Sequence, residues 1–150
     1  MKMASKIGTL FVVLLLGACV TGPTFTEYKD QIPTLSPDQG RIFFYRNTAF
    51  GAAFKPNVVL NDQVVGESMA QGFFYVDRDP GQYTAVTATE VTRKASFVLE
   101  KGQTRYIKFG VSMGFFVGHV YPELVDEQVG QSEIVECKYA GQAIQASQNK

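Results

Sequence analysis

After Gly40 the hydrophobic pattern of this chain falls into short β-type runs, some alternating with a period of two and some continuously apolar, separated by turn signals and with little helical periodicity. "RIFFYR" (Arg41 to Arg46) reads as an aromatic strand bracketed by arginines. "NVVL" and "QVVGE" flank Asn61-Asp62, a pair suited to a tight hairpin turn. "GFFYVD" is a further aromatic strand that runs into "RDPGQ", where Pro80-Gly81 marks a turn. "YTAVTATEV" is rich in Thr, Val and Tyr, and "KASFVLE" places Ala95, Phe97 and Leu99 on one face. After a turn at Lys101-Gly102, "TRYIKFGV" puts Ile107, Phe109 and Val111 on one face. About seven strands at a spacing of roughly ten residues predict an all-β sandwich over residues 41–141.

The ends differ. Residues 20–40 carry Pro23, Pro33 and Pro37 with no sustained period, and are expected to form a flexible tether. A coil of that length reaches on the order of 25 Å. "GQSEIVECKYAG" is expected to form a short helix, with Ile134, Cys137 and Tyr139 supplying apolar contacts and Gly141 stopping it. Residues 142–150 are expected to be a disordered, solvated tail.

Residues 1–18 have the form of a signal peptide: Lys2 and Lys6 first, then an apolar core from Ile7 to Leu16. That core is too short to span a bilayer, which needs roughly 20 apolar residues. The run closes Leu16-Gly17-Ala18-Cys19, which resembles the lipobox of bacterial lipoproteins. The resemblance implies that signal peptidase recognises Leu16, Gly17 and Ala18, cleaves before Cys19, and leaves Cys19 acylated as the first mature residue. Val20, in place of an aspartate, implies passage to the outer membrane by analogy with lipoprotein sorting in Gram-negative bacteria. The alternative is an N-terminal core helix ending near Gly17.

The whole chain carries 14 basic and 14 acidic residues; removing Lys2 and Lys6 with residues 1–18 leaves 12 against 14. Such a balance argues against nucleic acid as a partner, because that contact needs a basic face. With Cys19 acylated, Cys137 has no partner within the chain and is expected to be a buried free thiol, with intermolecular pairing as the alternative.

Catalytic constellations are sparse. His119, alone among 150 residues, sits between Gly118 and Val120 and is expected in a partly exposed loop. One histidine and one usable thiol in unrelated segments do not make a tetrahedral zinc site. Ser112, His119 and Asp126 offer triad residue types, but no G-x-S-x-G turn surrounds Ser112. Asp77 and Asp79 flank Arg78 without the spacing of a calcium loop, and are expected in a solvated turn; Glu123, Asp126 and Glu127 read as a solvated face. No phosphate-binding glycine loop or other cofactor motif occurs. The charge-poor stretch "FGVSMGFFVGHVYP" (Phe109 to Pro122) is expected either as two buried strands around a glycine turn or as a loop exposing Phe115 and Phe116. In the second case Phe115, Phe116 and His119 are the candidate contact for a partner or for lipid.

"GRIFFYR", "PNVVLNDQVVGE", "GFFYVDRDPGQYTAVTATE", "GQTRYIKFGVSMG" and "EIVECKY", in that order, resemble the domain of unknown function 2846 family of bacterial lipoproteins over residues 40–140. The resemblance implies a sandwich of Ig-like, transthyretin-like or carboxypeptidase-regulatory-like type on a lipid anchor, and it supplies no catalytic residues. Where family members often show Pro-Pro-Gly, this chain has Asp79-Pro80-Gly81. Together these features point to a non-catalytic binding or scaffolding module on the periplasmic face of the outer membrane, contacting another envelope protein. The competing readings are a carrier or sensor of a small apolar ligand and, more remotely, an envelope hydrolase.

Overall fold

The computed structural model describes residues 20–87, 93–114 and 118–141. Among these residues nine strands form two sheets: β1 (Gly40–Arg46), β2 (Asn57–Leu60), β3 (Gln63–Glu67), β4 (Gly72–Arg78), β5 (Gly81–Thr87), β6 (Arg93–Leu99), β7 (Thr104–Met113), β8 (Gly118–Val125) and β9 (Lys138–Tyr139). One sheet has the order β8-β7-β1-β4-β9 and the other β3-β2-β5-β6. The described residues also form two short α-helices, α1 (Phe25–Tyr28) and α2 (Glu127–Glu133), each followed by a 3-10 turn. No helix among the described residues is long and apolar enough to cross a membrane.

Strand β1 lies at the centre, antiparallel to β4 and parallel to β7. Its composition follows from that position. A central strand covered on both faces needs apolar residues at consecutive positions, and every residue of β1 is buried. Ile42 and Phe44 point into the sandwich with Phe74, Ile107, Phe109 and Val120, where they meet Val58, Leu60, Phe97 and Leu99 of the second sheet. Phe44 stacks on its cross-strand partner Phe74 with ring centroids 4.9 Å apart. Phe43, Tyr45, Phe73 and Tyr106 point the other way and form a second core with Ile134 and Cys137. The pairs Phe43-Phe44 and Phe73-Phe74 are therefore covered on both sides, one ring in each core.

The Asn61-Asp62 hairpin forms as expected, with φ of 44° and 66°, the left-handed pair that a two-residue primed turn requires. Beyond the seven runs, β8 is the second strand of the reading that sets two strands around a glycine turn in Phe109 to Pro122, and β9 is an addition that the sequence reading does not contain. Pro122 is tolerated in β8 because this strand is the edge of its sheet.

Residues 20–39 depart from the expected tether. Thr24 caps α1 in a reciprocal capping box with Glu27. Phe25 then packs edge-on against Phe43 and Phe73 at 5.6 and 5.3 Å, and Tyr28 stacks on Tyr139 at 4.1 Å. Phe25, Tyr28 and Ile32, each half-buried, pack against this second core and draw the segment onto the sheet. The C-terminal helix also differs. It begins at Glu127 after Asp126, earlier than the expected Gly130, continues as a 3-10 turn over Ile134–Glu136, and gives way to β9. Gly130 faces the Tyr106 ring so closely that a Cβ would sit 2.2 Å from it, which lets α2 lie flat on the sheet.

Candidate functional site

Successive connections alternate between the two ends of the sandwich, and the ends differ chemically. At one end lie the β1–β2 loop, the β3–β4 connection, the start of β6 and the tip of β7. Val20 docks at this same end, against Met69, Ala140 and Gly72, and only 7% of it is exposed. Phe50 in the β1–β2 loop and Met113 at the end of β7 are 54% and 71% exposed there. The opposite end carries exposed carboxylates at every turn: Asp38, Asp62, Asp79, Glu100 and Asp126.

The β1–β2 loop is built around Arg46. This guanidinium is fully buried without a carboxylate and donates to the carbonyl oxygens of Phe54 (2.8 Å), Gly51 (2.8 Å), Phe50 and Ser68. Its planar fork suits a ring of backbone acceptors that a lysine could not satisfy. Burial pulls its pKa below the ordinary arginine range. Phe54 from the same loop lies over Gly118, where a Cβ would come within 2.8 Å of the ring.

Two ion pairs brace the outer face of the five-stranded sheet. Arg41 donates to both oxygens of Asp77 at 2.7 and 2.8 Å and to the Pro33 carbonyl, and lies over the Tyr75 ring. Asp77 is thus a half-buried bidentate acceptor, not the solvated turn residue expected. Lys108 Nζ and the Tyr45 hydroxyl donate to the two oxygens of Glu133 at 2.7 and 2.6 Å, fastening α2 to β1 and β7. Burial raises the Glu133 carboxyl, but the hydrogen bonds from Lys108 and Tyr45 and the Lys108 charge outweigh it, so its pKa falls below the ordinary value. These groups act as struts, Arg41 and Asp77 joining β1 to β4 and Lys108 and Tyr45 holding α2 through Glu133, with about a quarter of the Asp77, Lys108 and Glu133 side chains still exposed.

The sequence-derived candidates are scattered. His119 lies on β8, directly opposite Ser112 of β7, and not in a loop. Its Nδ1 is buried with no hydrogen-bond partner among the described residues. Asp126 lies past the far end of β8, about 23 Å of extended chain from His119, so the three cannot act as a triad. Cys137 is a buried free thiol, pushed up to about 12 by burial and then by the charges of Glu133 and Glu136. A thiol so shifted is a poor nucleophile. Among the described residues no group of three or more His, Cys, Asp or Glu is placed to hold a metal ion. Leu16, Gly17, Ala18 and Cys19, and likewise Phe115 and Phe116, lie outside the described residues.

A depression of about 330 Å³ lies on the β5–β6 pair, lined by Gln82, Tyr83, Thr84, Ser96, Phe97 and Val98. Gln82, Ser96 and Val98 are exposed, so this is an open surface feature rather than a chamber between the sheets.

The fold and its surface define a two-sheet β-sandwich with a strapped outer face and two chemically unlike ends. The chain belongs to the DUF2846 family, proteins of unknown function, whose sequence profile matches residues 36–120. An uncharacterised protein of Haemophilus influenzae is 32% identical over 136 residues, covering 87% of this chain and 79% of that relative. No solved structure matches the chain.

Proposed function

We propose that this chain is a lipid-anchored envelope protein, acylated on Cys19 and held at the periplasmic face of the outer membrane. There it serves as a non-catalytic binding or scaffolding module for another envelope protein. The observation that carries the reading is the run Leu16-Gly17-Ala18-Cys19 behind the lysine-led apolar core, with Val20 next to it packed against Met69, Ala140 and Gly72. A cut before Cys19 leaves every strand and helix described above in the mature chain.

The non-catalytic part is supported by the separation of Ser112 and His119 from Asp126 and by the buried, high-pKa thiol of Cys137. The exposed side of the four-stranded sheet, with Val64 and Val98 open to solvent, supports contact with a protein partner. The carrier reading finds less support, because the largest apolar cluster is filled by packed side chains and the depression on β5–β6 is open.

Metabolic labelling with a fatty-acid probe, followed by mass analysis of the N-terminal peptide, tests the anchor. A diacylglyceryl-modified Cys19 in the outer-membrane fraction is expected, with the label lost in Cys19→Ala. An intact Met1 start recovered from the cytosol overturns the proposal. Crosslinking in intact cells tests the partner, and a reproducible absence of any envelope protein in the adducts overturns that half.

A further inference from the structure

We infer that the end of the sandwich bearing Val20, Phe50 and Met113 is the surface on which the domain lies against a phospholipid bilayer. The inference rests on the lipid-anchor reading above and deepens it by assigning an orientation.

Slack is the first consideration. Neighbouring Cα atoms are about 3.8 Å apart, so an acylated Cys19 lies a single peptide from Val20, which is packed against Met69, Ala140 and Gly72. The expected tether of residues 20–40 is folded onto the sheet and gives no stand-off. An anchor attached there draws that end of the domain onto the headgroups.

The chemistry of that end agrees. Phe50 and Met113 come from different connections, and both project from the end at which Val20 docks. Exposed apolar side chains of this size bury favourably in the zone between headgroups and acyl chains. Lys55 belongs to the same loop as Phe50, Arg93 and Lys94 open β6, and Lys138 opens β9 beside Gly72. Against these four cations, the described residues of this end hold three carboxylates, Glu67, Glu136 and Glu27, the last bonded to Thr24 beside Lys138. The turns carrying Asp38, Asp62, Asp79, Glu100 and Asp126 are all at the opposite end, where anionic headgroups cannot repel them.

The test uses the acylated full chain in vesicles of phosphatidylethanolamine and phosphatidylglycerol. An environment-sensitive fluorophore is placed at Phe50→Cys, Met113→Cys or, as a control at the far end, Asp62→Cys, with Cys137 left in place because burial shields it. Labels at 50 and 113 are expected to shift to the blue and to lose emission when nitroxide-bearing lipid is included, and the label at 62 to do neither. Mass analysis of the N-terminal peptide is run on the same samples. Acylated protein in the vesicles with all three labels in water overturns the inference and leaves the anchor standing. Acylated protein in which the label at 62 is the quenched one overturns it equally, by reversing the orientation. An unacylated N-terminus overturns the anchor reading; labels at 50 and 113 that still enter added vesicles then support the surface on its own.

Discussion

The backbone N–H of Phe25 donates to the carbonyl oxygen of Cys137 at 2.8 Å, so the first helix and the last strand lock together across the back of the five-stranded sheet. The Tyr139 N–H donates to the Pro23 carbonyl, also at 2.8 Å, and extends the same seam. Truncating the half-buried Phe25 ring in Phe25→Ala is expected to lower unfolding stability by about 2–3 kcal/mol. Urea titration reads this directly. A cost below about 0.5 kcal/mol would mean that the segment is a tether after all.

Tyr45 and Lys108 share Glu133, and this gives the chain a pH signature. The carboxyl is held below its ordinary value of 4.5, so its stabilising contribution is present above that pH and is lost as pH falls through the lowered folded value. Glu133→Gln is expected to flatten the acid limb of the stability curve. Tyr45→Phe is expected to lose about 1–2 kcal/mol at neutral pH, since one charge-assisted hydrogen bond is removed. Burial, then the hydrogen bond to Glu133, holds the Tyr45 phenol well above its ordinary range; its contribution is present below pH 10 and is lost as pH rises beyond it. Thermal melts from pH 3 to pH 11 on wild type and both variants check the three statements.

The Cys137 thiol is both buried and shifted up to about 12. Native protein at pH 8 is expected to resist iodoacetamide at this position and to react fully once unfolded. Rapid alkylation of Cys137 in the folded state would show that the strap over the second core opens readily.

In the β2–β3 turn the two residues do different work. Asn61 accepts from the Thr84 N–H and donates to the Gln82 carbonyl at 2.8 and 2.9 Å, whereas Asp62 contributes a positive φ that glycine adopts more readily. Asp62→Gly is expected to stabilise by up to about 1 kcal/mol and Asn61→Ala to destabilise by about 1–2 kcal/mol, measured by urea titration. Equal effects would mean that the turn geometry alone matters.

Arg46→Lys retains a charge but removes the fork. It is expected to lower stability by about 3 kcal/mol and to expose Lys55 in the β1–β2 loop to trypsin. Wild-type resistance of this loop in the variant would argue that Arg46 is a passenger.

The interior was the most legible part of this chain, for a physical reason. Period-two runs such as Ala95, Phe97 and Leu99 and turn pairs such as Asn61-Asp62 are local signals, and those strands form where the runs lie. The strap was harder to see because three prolines mask its helical spacing. Yet Thr24 three residues before Glu27 is a capping box, and Phe25, Tyr28 and Ile32 repeat at helical intervals. The partner of Asp77 is Arg41, 36 positions away, and no local pattern reveals such a pair. Glycine beside His119 suggested a loop, whereas Gly118 makes room in a strand for the ring of Phe54. The unlike chemistry of the two ends emerges only when the alternation of connections is known.

Because β9 at Lys138–Tyr139 helps to cover Phe43 and Phe73, a chain emerging N-terminus first presents that aromatic face partly bare until those late residues arrive. The parallel pairing of β1 with β7 likewise waits on a segment some sixty positions later. Folding of such nonlocal contacts is slow and leaves sticky intermediates. Refolding from denaturant is therefore expected to be slow, with that aromatic face open to aggregation until β9 docks.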